Sequence, residues 1–310
     1  MSQLSPDQAE AFLRRRYGSR AGRPVPLGAG QWSRAYAFTL DGQGLVARFG
    51  GYVEDFEKDH RMAAYASERL PIPEVLEVGE TDFDDGYFAI SRRARGTYLD
   101  ELDTDALRTV LPAVLDALAA TRAIDLSGST GFGGWDARDH NAPFDHWSEA
   151  LLAGLEDVPG RRTSGWRAKL EQTPTAAAAF DEGAEVLRQL APRCPDRREL
   201  IHQDLLNRNV LVADGRLTAI FDWGNSLYGD GLFDLAWLLY WWPWYPDWSK
   251  IDIRRIIEDQ LTDHGADAGA RLLCYQLQIG LDHISYTAFM DRPDDLARNA
   301  TQTLALARSA

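Results

Sequence analysis

The dipeptide Asp214-Gly215 stands between two apolar runs, Val210-Leu211-Val212-Ala213 and Leu217-Thr218-Ala219-Ile220-Phe221. This is the strongest short-range signal for a β-hairpin with a two-residue turn, because both turn residues must take positive φ and Asp-Gly tolerates that conformation. Such a turn predicts the register: Ala213 lies opposite Arg216 and, counting back, Asn209 lies opposite Ile220. Side chains alternate faces with period two, so Asn209, Ile220 and Asp222 are expected on one face. Asp222 becomes the diagonal neighbour of Asn209 at roughly 7–8 Å. Two oxygen donors at that separation can converge on one Mg2+.

The loop that enters the first of these strands reads His202-Gln203-Asp204-Leu205-Leu206-Asn207-Arg208-Asn209. A carboxylate at Asp204 can accept a proton from a substrate hydroxyl. The spacing H-x-D-x-x-x-x-N, followed beyond the hairpin by a second metal-binding Asp, is that of a phosphoryl-transfer catalytic loop. Any one of these residues alone is more often a turn or cap residue, and the combination with a hairpin of the right length is what carries the reading. Asp204 is therefore expected as the catalytic residue, with Asn209 and Asp222 on the metal. His202 is expected to support the loop by hydrogen bonding, since the oxygen donors suit Mg2+ better than an imidazole does.

At 310 residues the chain is long enough for two lobes. A helix is expected over residues 5–17, with Ser5 as N-cap and Pro6 at the first position. Strand-like segments follow at residues 25–28, 35–40, 44–49, 75–79 and 86–90, with a helix over 54–70 between the third and fourth. Beyond residue 95 helical patterns dominate: 103–124, 144–156, 175–190, 231–241, 250–264, 268–289 and 294–307. The expected fold class is α+β, with a small five-stranded lobe over residues 1–95 and a mainly helical lobe over 96–310 that carries the catalytic loop and the substrate site.

The 47 acidic residues exceed the 33 basic ones and give a net charge of −14, which argues against a nucleic-acid or anionic-membrane partner and is compatible with a cationic substrate. Cys194 and Cys274 are the only cysteines, too few for a disulfide framework or a thiolate zinc site. The first seven residues lack a leader pattern, and the most apolar run, 232–245, is broken by Asp234 and Pro243. A cytoplasmic location is expected.

The catalytic loop, together with Leu70-Pro71-Ile72-Pro73-Glu74-Val75-Leu76-Glu77-Val78-Gly79-Glu80, Ile90-Ser91-Arg92-Arg93-Ala94-Arg95-Gly96, Tyr228-Gly229-Asp230, Trp241-Trp242-Pro243-Trp244 and Ile279-Gly280-Leu281-Asp282, resembles the aminoglycoside phosphotransferases. The resemblance covers nearly the whole chain. It implies a protein-kinase-like two-lobe fold, ATP or GTP with Mg2+, and phosphoryl transfer to a hydroxyl of an aminocyclitol antibiotic, hygromycin B foremost, by a monomeric resistance enzyme. The segment Leu27-Gly28-Ala29-Gly30-Gln31-Trp32-Ser33-Arg34 departs from the glycine-loop pattern of protein kinases, so Ser33 and nearby N–H groups are expected at the phosphates. Arg48 stands where a kinase has its β3 lysine, with Asp59 as its expected acidic partner and Glu57 as competitor. Ser91 and Arg93 fall where kinases pair the base. For the acceptor, Trp241 and Trp244 offer flat faces to sugar rings, and Asp230 and Asp282 are candidate partners for amines. Three other readings stay open: a kinase of another aminoglycoside or small hydroxylated metabolite, a nucleotide- or antibiotic-binding protein without turnover, and a metal-dependent hydrolase using His202 and Asp204.

Overall fold

The computed structural model describes residues 4–82 and 86–310; residues 1–3, the start of the segment read above as lacking a leader pattern, lie outside the described residues. The chain divides into two compact units. The first comprises residues 1–120, 136–140 and 204–226, and the second comprises 121–135, 141–203 and 227–310. Compactness thus groups residues 204–226 with the sheet, although sequence order places them among the helices.

The first unit begins with α1 (Pro6–Tyr17), whose N-cap Ser5 forms a capping box with Gln8. A five-stranded antiparallel sheet follows, built from β1 (Val25–Ala29), β2 (Ser33–Leu40), β3 (Gln43–Gly50), β4 (Val75–Glu80) and β5 (Tyr87–Arg92) in the order β1-β2-β3-β5-β4. On β3, Leu45, Ala47 and Phe49 are buried and join Phe12 and Leu13 of α1 in one core. Phe12 meets Phe49 edge-on at 5.3 Å and Phe88 at 4.9 Å, contacts worth about 0.5–1.5 kcal/mol each beyond burial. Period-two alternation then puts Val46 and Arg48 on the opposite face. There α2 (Val53–Met62) packs through Phe56 against Val75 and Ala89. The helix expected to reach residue 70 ends at Met62 with one further 3-10 turn, Ala63–Tyr65. Beyond it, Ser67 and Leu70 exchange backbone hydrogen bonds in a turn.

A short strand β6 (Thr97–Tyr98) leads towards α3 (Thr104–Arg122), which runs from the first unit into the second. The second unit holds β7 (Gly133–Gly134), α4 (Trp147–Leu152), α5 (Trp166–Leu170), α6 (Pro174–Leu190) and β8 (Glu199–Ile201). The first unit resumes with the hairpin strands β9 (Val210–Ala213) and β10 (Arg216–Ile220), which form a small sheet in the order β10-β9-β6. After it come β11 (Leu227–Gly229), paired between β7 and β8, and α7 (Leu232–Trp241), α8 (Ile253–Gln260), α9 (Ala268–Phe289) and α10 (Pro293–Ala307). The eighth helix is shorter than expected and starts at the N-cap Asp252, whose carboxylate accepts from Arg255 N.

α9 is the axis of the helical packing and touches α4, α5, α6, α7 and α10. Gly280 permits a close approach, since a Cβ there would collide with Thr303 of α10 and press on the Tyr240 ring of α7. No helix among the described residues is long and apolar enough to cross a membrane.

Candidate active site

The hairpin turn is as the dipeptide dictates: Asp214 and Gly215 take φ of 51° and 69°, and Ala213 pairs with Arg216. Further along, the expected register fails. Thr218 is an extra residue bulged out of β10, so Ala219 faces Leu211, Ile220 faces Val210, and Phe221 N donates to Asn209 O at 3.1 Å. The bulge has a tertiary cause, because Thr218 Oγ1 donates to Arg95 O at 2.8 Å. A one-residue shift alone would put Asp222 on the wrong face. Asp222 instead leaves the strand, with φ 66° and ψ 59°, and this turn of the backbone returns its carboxylate to the side of Asn209.

Both side chains line a cavity of about 240 Å³ within the first unit. Its apolar wall includes Leu27, Val46, Ile72, Leu211 and Phe221; its polar groups include Ser33, Arg48, Asp59, Ser91, Asn209 and Asp222. Arg93 is not on the wall. Its side chain is exposed, and its backbone N–H donates to Gly44 O at 3.1 Å. Expecting it at the base is therefore corrected: β5 ends at Arg92, and Arg93, its N–H committed to Gly44, turns its side chain outward and leaves Ser91, Arg92 and Ala94 on the wall.

Arg48 Nη1 bonds Asp59 Oδ2 at 2.5 Å, and its Nη2 lies 3.6 Å from Asp222 Oδ1. Glu57 is instead paired with Arg138 at 3.2 Å. Burial pushes Asp59 up to about 6 despite the guanidinium beside it. Asp59 Oδ1 also accepts Trp223 N at 2.7 Å, so one carboxylate ties the arginine to the segment that follows Asp222.

Asp204 is half-buried and off the cavity wall. Burial first, then repulsion from Asp222, raises its carboxyl to about 8, although a hydrogen bond from Asn209 works in the other direction. Asn209 Nδ2 donates to Asp204 O at 2.8 Å, which orients the amide and leaves Oδ1 as its acceptor. Gln203, just before Asp204, is held at φ 68°, an unusual conformation for a residue with a side chain.

The turn before Asp204 is braced within the second unit. His202 is fully buried, and Asp234 accepts from His202 N at 3.0 Å and from Gln203 N at 2.9 Å. Removing Asp234 would orphan two backbone donors, each costing about 1–3 kcal/mol. Asp234→Ala is expected to destabilise the protein by roughly 2–5 kcal/mol in chemical denaturation; a loss under about 1 kcal/mol would mean the carboxylate is not the brace.

Asp230, expected to meet a substrate amine, has no exposed surface. Oδ2 accepts from Tyr275 OH at 2.8 Å and faces Arg271 Nε at 3.3 Å, while Oδ1 accepts from Leu232 N at 3.2 Å. That expectation is corrected: Asp230 neutralises a buried arginine and holds the start of α7. Asp282 is half-buried and its carboxyl is raised by burial, an effect that nearby His283 and Arg161 oppose. Trp241 makes edge contacts with Trp244 at 4.9 Å and with His283 at 4.5 Å. Trp244 donates through Nε1 to Gln302 Oε1 at 2.7 Å and carries the Arg298 guanidinium 4.0 Å over one ring face.

A family model described as the phosphotransferase enzyme family matches residues 24–273. The chain belongs to that family. This phosphotransferase is also 32% identical to the hygromycin-B 4-O-kinase of Escherichia coli, over 99% of its own length and 86% of the relative's. Its fold matches a thermostable mutant of aminoglycoside phosphotransferase APH(4)-Ia in ternary complex with AMP-PNP and hygromycin B, at TM-score 0.85 and 31% identity over 97% of this chain and 98% of that one. The same comparison with a complex of ADP and hygromycin B also gives TM-score 0.85 and 31% identity, over 97% and 98% of the two chains. The GDP and kanamycin complex of APH(2")-IIIa shares the fold at TM-score 0.65 and 14% identity, over 96% and 97%. The phosphotransferase is thus a kinase with the α+β, protein-kinase-like fold that its sequence implied.

Among the described residues no group of three or more His, Cys, Asp or Glu could hold a metal ion. The oxygen donors that share the cavity wall, the amide of Asn209 and the carboxylate of Asp222, are hard oxygens. That set fits Mg2+, which takes few protein ligands and completes its shell with phosphate oxygens and water. Once bound, the ion would supply positive charge against the phosphates and against the Asp204–Asp222 repulsion. Sequence reading had no route to the brace at Asp234 as a site element, because its partners lie 32 and 31 residues away.

Proposed function

We propose that this phosphotransferase moves the γ-phosphoryl group of ATP or GTP, with Mg2+, to a hydroxyl of the aminocyclitol antibiotic hygromycin B, and so confers resistance. The observation that carries the reading is the convergence of Arg48, Asn209 and Asp222 on one cavity, in a chain alike over nearly its whole length to a hygromycin-B 4-O-kinase. The bond from the γ-phosphorus to the bridging oxygen of the leaving diphosphate breaks, and a bond to the acceptor oxygen forms. Asp204 orients that hydroxyl and takes its proton.

Asn209 and Asp222 hold the metal. Arg48, kept in place by Asp59, faces the phosphates together with Ser33, and Ser91 borders the base. Residues 1–95 supply the nucleotide lobe, and 96–310 the catalytic loop and the acceptor site. There Trp241 and the open face of Trp244 receive sugar rings, and Asp282 receives an ammonium group. His202 supports the loop from its buried position. The enzyme works as a monomer in the cytoplasm, where ATP is abundant.

The test is the mass of hygromycin B after incubation with enzyme, ATP and Mg2+. A gain of one phosphoryl group is expected. Unchanged antibiotic, with phosphate released to water or passed only to another acceptor, would overturn the assignment.

A further inference from the structure

Asp222 is held in a backbone conformation that residues with side chains avoid, with φ at 66°. The left-handed region costs roughly 1–2 kcal/mol, and such residues persist only where their surroundings over-determine them. The surroundings here come from α2. Asp59 accepts Trp223 N at 2.7 Å, and the next residue back, Lys58, donates through Nζ to Gly224 O at 3.0 Å and to Ser226 O at 2.9 Å. Lys58 is only 6% exposed. Lysine is almost never buried this deeply without compensating partners. The carbonyls it takes lie in and just past the 3-10 turn Trp223–Asn225, where turn carbonyls run out of partners and a cation is favoured. Two adjacent side chains of one helix therefore grip the N–H at the start of this segment and the carbonyls towards its end.

We infer that Lys58 is a positioning residue for the metal site: it fixes the backbone of residues 222–226 and through it the Asp222 carboxylate. Lys58 is absent from the cavity wall, so its effect must pass through Asp222. Freed of this grip, Asp222 relaxes towards ordinary φ, and its carboxylate swings away from Asn209. The inference rests on the reading of Asn209 and Asp222 as Mg2+ ligands. A purely structural lysine would instead lower the melting temperature and leave metal binding alone.

The experiment uses the full chain as wild type, Lys58→Met and Lys58→Arg. Mn2+ serves as a spectroscopic probe, with affinity for the ADP-bound protein read by electron paramagnetic resonance without turnover. Lys58→Met is expected to weaken Mn2+ binding by roughly 10- to 100-fold, as for lost outer-shell support of a metal ligand. The Mg2+ concentration for half-maximal transfer should rise by a similar factor, while KM for hygromycin B stays within about twofold. Lys58→Arg should recover most of the affinity, because its fork can still reach both carbonyls.

Mn2+ affinity and Mg2+ half-activation within about twofold of wild type in Lys58→Met would overturn the inference, whatever the melting temperature. If Lys58→Met does not fold, Lys58→Gln takes its place, with one donor kept and an intermediate loss expected; wild-type affinity there overturns the inference equally. Ranked Mn2+ affinities without any transfer to hygromycin B would sink the acceptor assignment and support the role of Lys58. Normal transfer with unchanged Mn2+ affinities would do the reverse.

Discussion

Asp204→Asn is expected to lower kcat for phosphate transfer by roughly two to four orders of magnitude, the range that a positioned acid–base group supplies. Asparagine keeps the shape and cannot take the acceptor proton. The loop should survive the change, because Asn209 holds the backbone carbonyl of residue 204 and Asp234 holds the N–H groups of residues 202 and 203. Residue 204 is off the wall of the cavity lined by Arg48, Asn209 and Asp222, so nucleotide affinity should move by only a few-fold. A neutral amide also carries no charge that burial and Asp222 would oppose, and the melting temperature should not fall. Steady-state kinetics, nucleotide titration and thermal unfolding of one preparation check all three. A drop in kcat of less than tenfold would remove Asp204 from the chemistry.

Asp222→Asn should cost about three orders of magnitude in kcat/KM, since a metal worth several kcal/mol of charge stabilisation loses its one anionic ligand. Asparagine tolerates the left-handed backbone that residue 222 requires, so this variant isolates the charge from the fold. Arg48 loses a neighbour 3.6 Å away and keeps Asp59 at 2.5 Å. Activity should recover in part as Mg2+ is raised, because the weakened site still has Asn209 and the phosphates. Full activity at ordinary Mg2+ would place the metal elsewhere.

The two ends of the hairpin show how far local sequence reaches. The turn at Asp214-Gly215 was legible because positive φ is a property of those residue types, whatever surrounds them. The bulge at Thr218 was not, because its cause is a hydrogen bond to Arg95 O, set by where another stretch of chain passes. Asn209 and Asp222 do share the cavity, but through a bulge and a left-handed turn that offset each other, not through the unbroken strand parity expected from the sequence. Arg48 was legible from the resemblance, and the structure supplies the local reason: alternation on β3 puts Leu45, Ala47 and Phe49 into the core and leaves Arg48 on the other face. Asp230 was misread because an Asp before an aromatic helix looks the same whether it faces a ligand or a buried arginine. Only the approach of Tyr275 and Arg271, more than 40 residues away, distinguishes the two.

Sequence by itself determined the five-stranded lobe, the helical remainder, the family and the spacing of Asp204, Asn209 and Asp222, because each depends on residue type and short-range periodicity. Tertiary structure alone decided the strained backbone of Asp222, the clamp that Lys58 and Asp59 place on the residues after it, and the brace that Asp234 gives the backbone of His202 and Gln203. These depend on buried donors and acceptors finding partners far along the chain. Burial makes an unmet hydrogen bond costly, and local pattern carries no record of which distant group will meet it.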